Sequence, residues 1–119
     1  MNIIQVYGIT NCDTVKKTLA WLKEKEISFE FHNFKKEGIT AEKLKEWLKT
    51  ASLEKIVNKK SIAFKNLSAE ERLMMANKND AVRLMQTNTN LIKRPVLEIA
   101  GTILNGFQED ELKKAFGKK

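Results

Sequence analysis

Tyr7-Gly8-Ile9-Thr10-Asn11-Cys12-Asp13-Thr14 separates an apolar run from an amphipathic one and contains the only cysteine of the 119-residue chain. Before it, Asn-Ile-Ile-Gln-Val-Tyr is rich in β-branched and aromatic side chains and is punctuated by Gly8, which predicts a buried strand from Asn2 to Tyr7. After it, Val15, Leu19 and Leu22, with Ala20 beside them, recur at helical spacing. Lys16, Lys17, Lys23, Glu24 and Lys25 take the other faces. This predicts an amphipathic helix from Asp13 to about Lys25 or Glu26. Cys12 therefore stands where a strand hands over to a helix. A thiol at such a position faces unpaired backbone N–H groups and the positive end of the helix dipole, both of which favour a thiolate. Cys12 is thus a candidate nucleophile, the alternative being a small buried apolar residue.

Ser28 to Phe34 then alternates Phe29, Phe31 and either Asn33 or Phe34 with polar residues, which predicts a second strand exposed on one face. A strand, a helix and another strand form a βαβ unit, with parallel pairing and a right-handed crossover. In such a unit the C-terminal edge of the strand and the N-terminus of the helix make a natural ligand site. Lys35-Lys36-Glu37-Gly38 interrupts the pattern. A run of helices is predicted from Gly38 to Thr87: one opened by Thr40 and carrying Leu44, Trp47 and Leu48, and one over Leu53 to Val57. After the polar connector Asn58-Lys59-Lys60-Ser61 come one begun by Ser68-Ala69-Glu70-Glu71 with Leu73, Met74 and Met75, and one over Asp80 to Met85. The Met and Trp residues here read as core. Val96 to Ala100 reads as a strand, Gly101-Thr102 as a tight turn and Ile103 to Asn105 as its hairpin partner. A last helix, Gln108 to Phe116, turns Leu112, Ala115 and Phe116 inward.

The order is therefore β, α, β, a helical block, then β, β, α. This is an α/β chain with a four-strand mixed sheet in a thioredoxin-like arrangement. Residues 1–37 and 88–119 form its core, 38–87 an all-helical insertion, and the whole is read as a single domain.

Composition narrows the chemistry. One cysteine makes no internal disulfide, and with His32 as the only histidine no His/Cys metal cluster can be assembled, so no metal or bound cofactor is expected. The predicted strand begins directly after Met1-Asn2, without a signal peptide or a membrane span, and a reducing cytoplasm is the expected setting. The 22 Lys and Arg against 15 Asp and Glu give a net charge of +7, which suits anionic partners. Lysines are spread along the chain and are not interleaved with aromatic residues, so nucleic acid is not the expected partner.

A working thiol also needs a group that resolves the product formed on sulfur. Cys12-Asp13-Thr14-Val15 lacks the second cysteine of a C-x-x-C pair, so any disulfide on Cys12 is mixed, most simply with glutathione or a partner's thiol. Thr14 and the N–H groups of residues 13–15 are candidates for holding an anion. In a thioredoxin-like fold the segment before the third strand lies against the helix that carries Cys12. Arg94 there could lower the thiolate's energy and grip an oxyanion. Lys59 and Lys60 are weaker candidates of the same kind. Pro95, the only proline, precedes a strand, and the sequence permits either isomer of its peptide bond.

Tyr7 to Lys17, Ile92-Lys93-Arg94-Pro95 and Leu104-Asn105-Gly106-Phe107 together resemble the ArsC/Spx family, which includes glutaredoxin-linked arsenate reductases and Spx transcription regulators. Within it the chain is most similar to the small YffB-like proteins, which share the Asn11-Cys12-Asp13-Thr14 run. The resemblance covers essentially the whole chain. It implies a thioredoxin-like fold, a nucleophilic Cys12, substrate contacts from Arg94, Lys60, Thr14 and Asn11, and a cis Pro95 beside the site. The implied activity is a glutathione-dependent thiol oxidoreductase of arsenate reductase-like type, with glutathione as co-substrate, glutathione or glutaredoxin as the resolving partner, and a small oxyanion or mixed disulfide as substrate. The alternative it implies is a regulator that docks on RNA polymerase. The chain departs from the family's arsenate reductases in its cations: only Arg94 of their three arginines is matched, Lys60 aligns with an arginine of Spx-like relatives, and Gly106 falls at the last position. Val15 occupies the second site of the Spx cysteine pair.

Overall fold

In the computed structural model, which describes residues 3–117, β1 (Ile4–Gly8) is an inner strand of a four-strand sheet with order β2-β1-β3-β4. It pairs in parallel with β2 (Phe29–Asn33) and antiparallel with β3 (Val96–Ile99), which pairs antiparallel with β4 (Thr102–Asn105). The parallel pair is joined by α1 (Asp13–Glu24), and α8 (Glu109–Phe116) closes the chain. Asn2, expected to open β1, lies outside the described residues. Gly8, expected just past the strand, is its last residue.

The described residues divide into two compact units, 3–33 with 94–117, and 34–93. The first contains the sheet, α1 and α8. On one sheet face Ile4, Val6, Leu97 and Ile99 form a core with Trp21 and Leu22 of α1 and Leu112 of α8. On the other face, cross-strand neighbours carry a polar ladder: Gln5 Nε2 donates to Glu30 at 3.0 Å, Gln5 Oε1 also meets His32 Nε2, and the His32 ring stacks on Tyr7 with centroids 4.6 Å apart. Within α1 the buried positions are Val15, Thr18, Trp21 and Leu22. Ala20, read as a companion of the apolar stripe, is exposed. Thr18 is tolerated inside because its hydroxyl donates to the Thr14 carbonyl at 2.9 Å. In α8, Ala115 is exposed instead of inward, and Phe116 tilts against Trp21 at 6.0 Å.

The second unit is helical: α2 (Phe34–Glu37), α3 (Ala41–Thr50), α4 (Leu53–Ile56), α5 (Ile62–Lys65), α6 (Ala69–Met74), α7 (Lys78–Thr87) and a short 3₁₀ turn, Thr89–Leu91. Its helices are punctuated by local chemistry. Thr40, Ser52, Ser61, Ser68 and Asn77 each accept the N–H three residues on, and Glu71 completes a reciprocal box with Ser68. Each such cap contributes about 1 kcal/mol. Leu44, Trp47 and Leu48 of α3 are buried, as are Ala81, Val82 and Met85 of α7. The unit is longer than the expected insertion of 38–87. At its start, Lys35-Lys36-Glu37 is helical and not a break. At its end, Asn58 N–H donates to Leu91 O, Lys93 N–H donates to Ile56 O, and Val57 bridges Ile92.

The hairpin turn is Ala100-Gly101, one residue earlier than the expected Gly101-Thr102, because Ile99 pairs with Thr102. Both turn residues have positive φ, 48° and 85°, the pattern of a type I′ turn. Alanine adopts that region at a cost that asparagine largely escapes, so Ala100→Asn is expected to raise stability by about 0.5–1 kcal/mol, read as a higher denaturant midpoint with unchanged slope. At Gly8, a Cβ would lie 2.8 Å from Val15 Cγ2. Gly8→Ala is expected to cost about 1–3 kcal/mol and to lower the melting temperature; an unchanged temperature would show that α1 can shift freely on β1.

Candidate functional site

The site grows from the end of β1. Gly8 closes the strand, Ile9 is buried, Thr10 and Asn11 are exposed, and Cys12 is the N-cap residue of α1 in extended conformation, φ −119° and ψ 122°. The first helical bond runs from Lys16 N–H to Cys12 O at 2.9 Å. The N–H groups of Asp13, Thr14 and Val15 therefore lie ahead of the helical ladder, where a helix presents its positive pole. The Cys12 side chain makes no capping hydrogen bond, is half-buried and is a free thiol.

Val15, on the first turn, is completely buried and lies against Gly8. This contact fixes how α1 leaves the sheet, and hence where Cys12 sits. Thr14 is half-buried in the same turn, and Asn11 is exposed just before it. Arg94 and Pro95 reach this end of the sheet through β3. Val96 pairs with Tyr7, one residue before the end of β1, and Arg94-Pro95 is the segment that leads into Val96. The Arg94-Pro95 peptide bond is cis, Pro95 is buried and Arg94 is half-buried.

A further contributor was not visible in the sequence. Gly106, with φ 71°, donates its N–H to the Pro95 carbonyl at 3.0 Å, so the chain leaving β4 is tied back to the cis bond. Gly106 thus contributes through its backbone. Nothing short of the β3–β4 register would have revealed it.

Lys60 belongs to the helical unit. It is exposed, and its N–H donates to Asn58 Oδ1 at 3.1 Å. Its neighbour Lys59 pairs with Glu54 at 3.8 Å. Asn11, Cys12, Thr14, Arg94 and Pro95 belong to the sheet unit, and Lys60 to the helical one. Among the described residues no group of three or more His, Cys, Asp or Glu could hold a metal ion, and no helix is long and apolar enough to cross a membrane. Chemically, this end of the sheet offers one half-exposed sulfur at a helix pole, with the half-buried Arg94 in the segment that leads into β3.

Residues 7–115 match the ArsC family. The solved structure of a YffB protein superposes with a TM-score of 0.87 at 34% identity, covering 94% of this chain and 97% of that one. An arsenate reductase-related protein from Brucella melitensis has a TM-score of 0.75 at 36% identity, with 97% and 95% covered. The global transcriptional regulator Spx of Enterococcus faecalis is 30% identical over 115 residues, 94% of this chain and 85% of its own. The thioredoxin-like fold extends through these relatives.

With a single half-exposed cysteine, the folded chain is expected to take up one equivalent of iodoacetamide at Cys12, and Cys12→Ser none. Labelling that appears only after unfolding would contradict an open site.

Proposed function

The chain belongs to the ArsC family, and on that premise we propose that it is a thiol oxidoreductase in which Cys12 acts alone on sulfur and an external thiol, glutathione or a glutaredoxin, completes the cycle. One observation carries this reading: the chain's only thiol is half-exposed at the N-terminus of α1, free of capping bonds, at the sheet edge reached by Arg94-Pro95.

Mechanism follows from that arrangement. The Cys12 thiolate attacks the glutathionyl sulfur of a mixed disulfide; the old S–S bond breaks, and the substrate's sulfur leaves as thiolate and takes up a proton. A glutathione thiolate then attacks the new disulfide on Cys12, forming oxidised glutathione and freeing the Cys12 thiolate. One glutathione thiol enters for each mixed disulfide, and the substrate's own glutathionyl group leaves with it as oxidised glutathione, so the cycle balances with no second cysteine. The helix pole and Arg94 stabilise negative charge on the attacking and leaving sulfurs, and Thr14 and Asn11 are within the same turn to bind the incoming peptide or anion. A small oxyanion is the weaker substrate, because one arginine gives a single bidentate grip where family arsenate reductases have three. A reducing cytoplasm would supply the co-substrate.

The regulatory reading is favoured by a different observation, the 30% identity to Spx. Against a disulfide switch of the C-x-x-C kind stands Val15, whose buried side chain packs on Gly8.

With glutathione as reductant, turnover is expected on a glutathionylated model peptide and to be much slower on arsenate. Cys12→Ser abolishes it, and Arg94→Ala lowers kcat/KM by about tenfold, the loss of roughly 1.4 kcal/mol of charge stabilisation. Equal turnover by Cys12→Ser would refute the thiol mechanism; arsenate outpacing the peptide would refute the substrate class.

A further inference from the structure

The helical unit has its own cleft, remote in sequence from Cys12. It is lined by Leu53 and Glu54 of α4, Val57 and Lys59 after it, Phe64 of α5, and Arg72 with Met75 and Ala76 at the end of α6, and has a volume of about 340 Å³. Val57 and Met75 are buried and form an apolar floor, and Leu53 and Phe64 are half-buried. The cleft is large enough for one big apolar side chain and at the small end for a drug-sized molecule.

Its charge is one-sided. Arg72 donates to the Lys65 carbonyl at 2.9 Å and lies 5.7 Å over the Phe64 ring, so its guanidinium is held at the wall by two neutral partners. Among the described residues no carboxylate engages it. Lys59 adds a second cation, and Glu54, the one acidic lining residue, is paired with that lysine at 3.8 Å and highly exposed. Glu71, next to Arg72, is occupied with the Ser68 backbone. The two helices that supply Phe64 and Arg72 also carry Ile62, 76% exposed, and Leu73, 77% exposed, the largest exposures among the big apolar side chains of the described residues.

We propose that this cleft docks an acidic amphipathic segment of a partner protein, with a large apolar side chain on the Val57–Phe64–Met75 floor and a carboxylate on Arg72. A bidentate carboxylate would supply the charge that Arg72 lacks, and Ile62 and Leu73 would be covered by the segment's flanking apolar residues. The chain's net charge of +7 favours encounter with such a segment. Docking here does not require the thiol chemistry.

The test is selection of a random displayed peptide library on the full chain, with Arg72→Glu protein as counter-selection. The affinity of enriched peptides is then measured, and amide shifts are mapped on the isotopically labelled chain. Enriched sequences are expected to hold Asp or Glu within a few residues of Leu, Phe or Trp, and to shift Phe64, Arg72 and Met75. Arg72→Glu should weaken them at least tenfold, a loss of about 1.4 kcal/mol, and replacing their carboxylate by lysine should restore binding to Arg72→Glu. Leu73→Ser, at an exposed position that leaves folding intact, should also weaken them, while Cys12→Ser leaves affinity unchanged. Enrichment without acidic residues, shifts outside the cleft, or equal binding to Arg72→Glu would each overturn the proposal.

Discussion

Val15 is pressed so closely on Gly8 that even a methyl group on the glycine would stand 2.8 Å from a Val15 methyl. That approach sets the angle at which α1 leaves β1 and holds the loop between them in place, because interiors packed at this density yield little. Everything chemical about the sheet unit depends on it: the first turn of α1 is brought over the sheet edge, and Cys12 is left at the helix entrance. The rest of the core, from Ile4 and Val6 to Trp21, Leu22 and Leu112, secures the same helix along its length.

The second constraint is pairing. β1 is held on both sides, in parallel by β2 and antiparallel by β3, so the handover at Gly8 and the approach to Val96 share one end of the sheet. The Gly106 bond to Pro95 then ties the exit of β4 to that end. A lone thiol is common; here it stands at a helix pole, at the end of the sheet where the segment Arg94-Pro95 leads into β3. With no second cysteine in the sequence, any disulfide formed on Cys12 is intermolecular.

Much of this could be read from the chain itself. Hydrophobic period distinguished the strands from the helices, and the switch between periods located Cys12, because burial on one face leaves the same imprint in sequence and structure. What failed to show was set by conformation or by distant partners. The Ala100-Gly101 turn was displaced by one residue because alanine gives no signal for positive φ. α5, just after the polar connector Asn58 to Ser61, gave no signal of its own, and Ser61 proved to be its cap. Leu73 matched a helical stripe yet points to solvent, and Trp21 and Thr18, outside the expected stripe, are buried. In the site, Cys12, Thr14 and Arg94 were legible from residue type and order, whereas the Gly106 contact depends on a strand register that no local pattern encodes.

The central claim is that Cys12 exchanges with an external thiol and needs no other cysteine. Intact mass measurement after incubation with oxidised glutathione tests it most directly. The account predicts a gain of one glutathionyl group per folded chain, located on Cys12 and removed by reduced glutathione. A folded chain that gains no such group, or one that gains it irreversibly, would contradict the account.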